Sequence, residues 1–181
     1  MTCRTETRVT YKQTYNAENR IASIAKLASG TCSTPGNYAA KWDFTYDGDG
    51  TRTAQSYTEY TNGQPGSPVI TSYFFGGALE ITGSMVKKYY AFGGQMVAMK
   101  DADGFKYFLS DQLGSVSVVL DANGAILEQQ RYLPFGQARV MPTYAAIAST
   151  DFTFTGQRDL TGTGLMDYKA RMYDAYITHF S

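Results

Sequence analysis

Aspartate is the residue type in this sequence with the clearest claim to chemistry. Asp101, Asp103, Asp111 and Asp121 lie close together in the chain, and two carboxylates can share general acid–base work when their surroundings push their pKa values apart. All four sit at turn signals or at the starts of apolar runs. An aspartate in such a place ordinarily accepts hydrogen bonds from its own backbone, and that is the role expected of them. Asp47 and Asp49 in "YDGDG" invite a calcium reading, with Glu59 about twelve positions along, where a calcium loop carries its bidentate glutamate. The intervening "TRTAQSYT" lacks the alternating acidic ligands, so the turn reading is preferred here too.

The one histidine, His179, stands in "ARMYDAYITHFS" at the end of the sequence. A nucleophile needs a neighbouring base, but a triad hung on a chain end would rest on poorly held backbone. A solvent-facing position on a last strand is expected instead. Cys3 and Cys32 lie 29 residues apart with no CxxC spacing, which leaves open whether they pair. One histidine and no thiolate pair argue against zinc. The pairs Gly76-Gly77 and Gly93-Gly94 are not followed by the Lys-Ser/Thr of a phosphate loop. No catalytic, metal or cofactor residues are therefore assigned, and no enzyme activity is expected.

The residues that remain are architectural. Fifteen Tyr, ten Phe and eighteen Gly among 181 residues describe aromatic strands joined by tight turns. Asp103-Gly104 separates "GGQMVAMKDA" from "FKYFLS", and Asn123-Gly124 separates "SVSVVLDA" from "AILEQQRYL". Such dipeptides between alternating apolar runs predict two-residue type I′ hairpins, with positive φ at both central residues. "YDGDG" around Gly50, "NGQPGSP" and Gly83-Ser84, a II′-type candidate, supply further turns. "YFFGGALEI" at 73–81 is echoed by "YAFGGQMVA" at 90–98, and each Gly-Gly could mark a bulge or a sheet bend. About ten strands of typical length are expected. Two stretches could be helical: "NRIASIAKLASG" at 19–30, where Ile21, Ile24 and Leu27 are spaced by three before Gly30, and one turn in "PTYAAIAS" at 142–149, taken as a loop.

Charge is balanced at sixteen basic and sixteen acidic residues, and Lys87-Lys88 is the one adjacent basic pair. Nucleic acid is accordingly not an expected partner. No apolar run is long enough for a membrane helix, and "MTCRTETRVT" is no signal peptide.

Four ordered blocks resemble a known family, the RHS or YD-repeat proteins, in their C-terminal repeat-associated core. "YNAENRIASI" at 15–24 and "YDGDGTRTAQ" at 46–55 look like YD repeats. "YFLSDQLGSVSVVLDANGAILEQQRYLPFG" at 107–136 is similar to the family's "DHLGS…D..G…Y.PFG" block, with Gln112 where histidine is common. "FTGQRDLTGTGLMDYKARMYD" at 154–174 resembles "F.GQ..D..TGL.Y..AR.YD". Beyond it, Ala175 stands for the family's Pro, and Thr178 and His179 for Gly-Arg. The aspartates that perform self-cleavage in toxin-carrying relatives have no counterpart here.

The resemblance implies an all-β chain of consecutive antiparallel hairpins forming a curved, incomplete β-shell. Residues 1–60 would be its YD-repeat part, 61–140 a hairpin block ending in "YLPFG", 141–150 a loop and 151–181 truncated terminal core strands. The implied role is structural: wall of a shell that encloses or presents a C-terminal cargo such as a toxin. Upstream repeats and that cargo domain would be its partners, and a secreted or cell-surface setting follows. The alternatives are a carbohydrate- or protein-binding adhesion module, or part of a self-processing core whose catalytic residues are absent. Exposed edge strands would invite self-association. The residues singled out are Gly50, Gly76, Gly77, Gly93, Gly94, Asp103, Gly104, Asn123, Gly124 and the corner Pro134-Phe135-Gly136.

Overall fold

The computed structural model describes residues 2–6, 8–34, 36–139 and 143–180. All regular structure among them is β, apart from two single 3₁₀ turns, and it runs as consecutive antiparallel hairpins. These residues hold nineteen strands rather than about ten, because many strands span only two to four residues. The chain divides into two compact units, one ending at residue 84 and the other starting at residue 85.

The first unit comprises β1 (Thr2–Glu6), β2 (Val9–Tyr15), β3 (Ile21–Leu27), β4 (Tyr38–Tyr46), β5 (Arg52–Thr61), β6 (Gln64–Pro65), β7 (Val69–Phe74) and β8 (Leu79–Thr82). Each pairs with the next except that β6 folds back on β5 alone and β7 pairs with β5 directly. Side-chain alternation explains the sheet. On β4, Ala40, Trp42 and Phe44 are buried, while Lys41 and Asp43 point the other way and form a half-exposed ion pair of 2.7 Å. Register carries a buried row across β2–β4 as Gln13, Ile24 and Trp42, continued on β5 by the half-buried Tyr57, whose ring lies 5.2 Å from that of Trp42. Cross-strand hydroxyl pairs, Thr14 with Ser23 at 2.6 Å and Thr71 with Thr82 at 2.7 Å, add to the ladder.

The helical alternative at 19–30 does not form: Ile21–Leu27 is β3, with a turn before it. The cause is a bulge. Thr14 faces Ser23 but Tyr15 faces Ile21, so one extra residue on β3 brings Ile21 and Ile24, three apart, onto one face. Alternation then places Leu27 with Ala25 on the opposite face. Register puts Cys3 on the same row as Ala25, through Lys12, and Cys3 is disulfide-bonded to Cys32 of the 28–37 excursion with a Cα–Cα distance of 5.8 Å.

The second unit holds a five-stranded meander, β9 (Met85–Phe92), β10 (Gln95–Asp101), β11 (Gly104–Ser110), β12 (Val116–Leu120) and β13 (Ile126–Gln129). A small hairpin follows, β14 (Arg131–Tyr132) with β15 (Ala138–Arg139), then a terminal meander of β16 (Arg158–Leu160), β17 (Leu165–Asp167), β18 (Met172–Asp174) and β19 (His179–Phe180). One face of the first meander buries Tyr89, Met99, Phe108 and Val119, and the segment after residue 143 lays Ile147 and Phe152 over it. Lys87 donates to the Ser149 carbonyl at 2.8 Å and Glu128 accepts from the Ser149 hydroxyl at 2.7 Å, which ties that segment down. Residues 143–150 form an irregular segment with one bridge at Ala145; Val140, Met141 and Pro142 lie outside the described residues. A second cluster joins Phe154, Met166, Tyr173 and Ala175, flanked by Tyr132 and Tyr168. The other face of β9–β13 leaves Tyr90, Phe105, Tyr107, Leu109 and Ile126 exposed.

Candidate functional site

The most ordered chemistry in the molecule is a turn used four times with the same wiring. It opens on Asn16, Asp47, Asp111 and Asp121. In each, the first residue's N–H donates to the carbonyl four residues on, at 2.9 Å, and its own carbonyl accepts the N–H three residues on, at 3.0 to 3.1 Å. Its side-chain Oδ1 accepts two further N–H groups. For Asp111 these come from Leu113 and Ser115, both at 2.9 Å; for Asp121 from Asn123 and Ala125, both at 2.8 Å. Asp47 takes Asp49 and Thr51, and Asn16 takes Glu18 and Arg20. The fourth residue is left-handed in every case: Asn19 at φ 60, Gly50 at 76, Gly114 at 80 and Gly124 at 84. This is a type I turn closed by a left-handed residue.

Leu133 opens a fifth copy without a carboxylate. Its N–H reaches the Gln137 carbonyl at 2.8 Å, its carbonyl accepts Gly136 at 2.9 Å, and Gly136 lies at φ 93. Pro134 fills the first central position, where its fixed φ suits the turn. The Phe135 side chain is exposed, but its carbonyl accepts the Tyr173 hydroxyl at 3.0 Å.

These geometries correct the turn types expected from the dipeptides. Asn123 is not left-handed, and Gly124 follows the turn rather than forming its centre. Asp101 pairs with Gly104, so Ala102 and Asp103 are the central residues, Asp103 is not left-handed, and Gly104 at φ 116 starts the next strand. The I′ turns lie elsewhere, at Asn62-Gly63 (φ 52 and 78) and Gly93-Gly94 (φ 59 and 82), each bridging directly paired residues. The two Gly-Gly pairs also differ. Gly76 (φ 66) and Gly77 (φ 89) belong to the wider β7–β8 connection with Phe75, so both pairs are hairpin tips and not bends within a strand. Gly83, at φ 58, precedes Ser84, which lies outside that region, as a II′ turn requires.

Aromatic and cationic side chains link successive turns in the first unit. Tyr46, just before Asp47, donates to the Ile21 carbonyl at 2.8 Å, and Arg20 lies over its ring at 5.7 Å. The same guanidinium covers Gly50, where an added Cβ would stand 1.9 Å from it. Arg52, one residue beyond that turn, lies over Phe44 and Tyr73 at 5.5 and 5.0 Å. Tyr46, Asp47, Gly50 and the Arg20 and Arg52 guanidiniums thus form one cluster that links the β4–β5 turn to the β2–β3 hairpin and to β7. What the dipeptides hide is the spacing: the organising oxygen belongs to the Asx three residues before the left-handed residue.

The carboxylates weighed for chemistry are dispersed among these turns. Asp47 binds backbone N–H groups at one end of β5, whereas Glu59 sits opposite Ala40, seven residues along the strand from Arg52, or roughly 23 Å away. The structure does not bring them to one ligand. Asp101 hydrogen-bonds Lys106. Burial pulls its carboxyl upward, but the Lys106 ammonium and its hydrogen bond, with the Asp103 N–H and Lys87, hold it below the ordinary value. His179 is exposed on β19 opposite Asp174. Buried Asp174 accepts the N–H groups of Tyr176 and Ile177 at 2.9 and 3.3 Å, closing the last hairpin.

One carboxylate is under electrostatic stress. Burial, and then the charge of Asp151, push Asp159 from 3.8 up to about 6, against a hydrogen bond from Thr161. The folded value lies above the unfolded one, so the folded state binds the extra proton and stability falls as pH rises through about 6. Asp159→Asn should therefore raise stability at pH 7.5 by about 1–2 kcal/mol and flatten the dependence between pH 4 and 7. Thermal melts of both proteins across that range check this, and parallel profiles would refute it.

No family model and no curated protein matches the chain. Solved structures do. A crystal structure of TcdB2-TccC3 superposes with a TM-score of 0.75 at 18% identity, over 94% of this chain and 9% of that one. TcdB2-TccC3-Cdc42 gives 0.74 at 17% identity, with the same coverage. The Photorhabdus luminescens Tc holotoxin pore gives 0.72 at 18% identity, over 94% of this chain and 8% of that one. The chain therefore spans about a tenth of the length of the proteins it matches, and shares their fold over nearly all of its own.

Proposed function

We propose that this chain is a wall segment of an RHS/YD-repeat β-shell, within a secreted, toxin-related protein that encloses or presents a C-terminal cargo. The observation that carries this reading is the superposition of 94% of the chain on a small part of TcdB2-TccC3. A related structure is described as lacking a hypervariable C-terminal region, which fits a constant wall joined to a variable cargo. The interlocked turn of the first unit supports it physically, since the β4–β5 turn is anchored to the β2–β3 hairpin through Tyr46 and Arg20 and to β7 through Arg52. The wall has no catalysis of its own in this reading, and its unpaired strand edges dock on upstream repeats or on another copy. Among the described residues no helix is long and apolar enough to cross a membrane.

Limited proteolysis of the longer polypeptide that carries this segment tests the proposal. Its C-terminal region should resist cleavage until denaturant opens the wall; immediate digestion in the native state would sink the reading. The exposed aromatic face of β9–β13 favours one second reading, an adhesion module for a glycan or protein. A glycan array or pull-down whose signal disappears in Tyr107→Ala would select that one.

A further inference from the structure

We infer that the Cys3–Cys32 disulfide is a thiol-sensitive latch that holds the first strand over the edge of the second. The inference concerns the first unit of this chain, with the sheet edge that β1 forms among the described residues. β1 is the outermost strand of its sheet among the described residues and pairs with β2 only. Besides that ladder, with Arg4 over the Tyr11 ring of β2 at 4.5 Å, the disulfide fastens it to the 28–37 excursion.

The two sulfurs have unequal surroundings. Cys3 is exposed on the edge strand, whereas Cys32 is buried in an excursion that has its own hydrogen bonds. Ala28 and Ser29 both donate to the Asn37 carbonyl, Gly36 donates to Ser29, and Thr31 donates to Thr34. Gly30 and Gly36 approach so closely that a Cβ on Gly30 would lie 2.3 Å from the Gly36 nitrogen. A small thiol can reach Cys3 and not Cys32. Its thiolate attacks the Cys3 sulfur, and the S–S bond breaks with Cys32 leaving as thiolate, which takes a proton from solvent. A second thiol of the same class then resolves the mixed disulfide. Two thiols are oxidised to their disulfide, and the protein bond is reduced to two S–H groups.

The Cys32 sulfur lies 3.5 Å from the Tyr11 carbonyl oxygen. In the disulfide it has no hydrogen to donate; once reduced it has one, within range of that acceptor. Reduction therefore leaves Cys32 and its excursion in place and frees Cys3. The segment released is β1, and what it uncovers is the row of backbone donors and acceptors on β2, a site for adding another strand.

Hydrogen exchange on the full chain, oxidised and after treatment with glutathione, tests this, with alkylation and mass spectrometry counting the freed thiols. Reduction should speed exchange in β1 and along the uncovered side of β2 by about tenfold or more while β3–β5 stay protected. Cys3→Ser should show that pattern without reductant and respond no further to it. Unchanged exchange after complete reduction would overturn the latch. So would release of the 28–37 excursion in place of β1, or a bond already absent in protein purified without reductant.

Discussion

Gly136→Val should unfold the block that follows β13, at a cost of about 2–5 kcal/mol. Two effects add. Gly136 lies at φ 93, where a β-branched residue is strained by roughly 1–2 kcal/mol. A Cβ there would also stand 2.5 Å from Phe154 Cδ1 and 2.9 Å from two more ring carbons. That ring cannot step aside, because it is buried with Met166, Tyr173 and Ala175 and packs against Tyr132 at 5.7 Å. Overpacking of such a cluster costs a further ~1–3 kcal/mol. Gly124→Val is the control: its φ of 84 is similar, but the space around it is open, so only the strain should be seen. Melting temperatures should fall by about 10 °C or more for the first and by a few degrees for the second. Equal losses would mean that the Phe154 contact contributes nothing.

Trp42→Ala should be comparably severe in the first unit, at about 3–5 kcal/mol. Trp42 is 4% exposed and lies between buried Ile24 and half-buried Tyr57. Its removal leaves a cavity that extended, hydrogen-bonded strands on both sides cannot close by moving together. Its neighbour in sequence gives the contrast. Lys41 points to the other face and makes a half-exposed ion pair with Asp43, and Lys41→Ala should change stability by less than about 1 kcal/mol. Denaturant midpoints measure both, read by circular dichroism because the first variant removes the only tryptophan. A Trp42→Ala loss below about 1 kcal/mol would show that this row is not the core of the unit.

Together the two substitutions separate what is legible in the sequence from what is not. Alternation along "KWDFTY" is enough to place Trp42 and Lys41 on opposite faces, because a strand carries its period of two in adjacent residues. The turns are legible for a related reason. Asp111 to Ser115 and Asp121 to Ala125 satisfy one another's backbone groups within five residues, so the chemistry that specifies them is contiguous. The dipeptides mislead about turn type because they put Asn123-Gly124 at the centre, when the organising oxygen belongs to Asp121.

The sequence by itself thus determined an all-β chain, where its hairpins turn, and that its aspartates serve the backbone. Only the tertiary structure decided the rest. Ile21, Ile24 and Leu27 look helical until Tyr15 is paired with Ile21, because a bulge is a relation between two strands and leaves no period in one. The Gly136–Phe154 contact, the stress between Asp151 and Asp159 and the pairing of Cys3 with Cys32 likewise join positions apart in the chain. Local hydrogen bonding is written in adjacent residues; desolvation, close approach and cross-links depend on which distant segment arrives, and that is set by the register of the whole ladder.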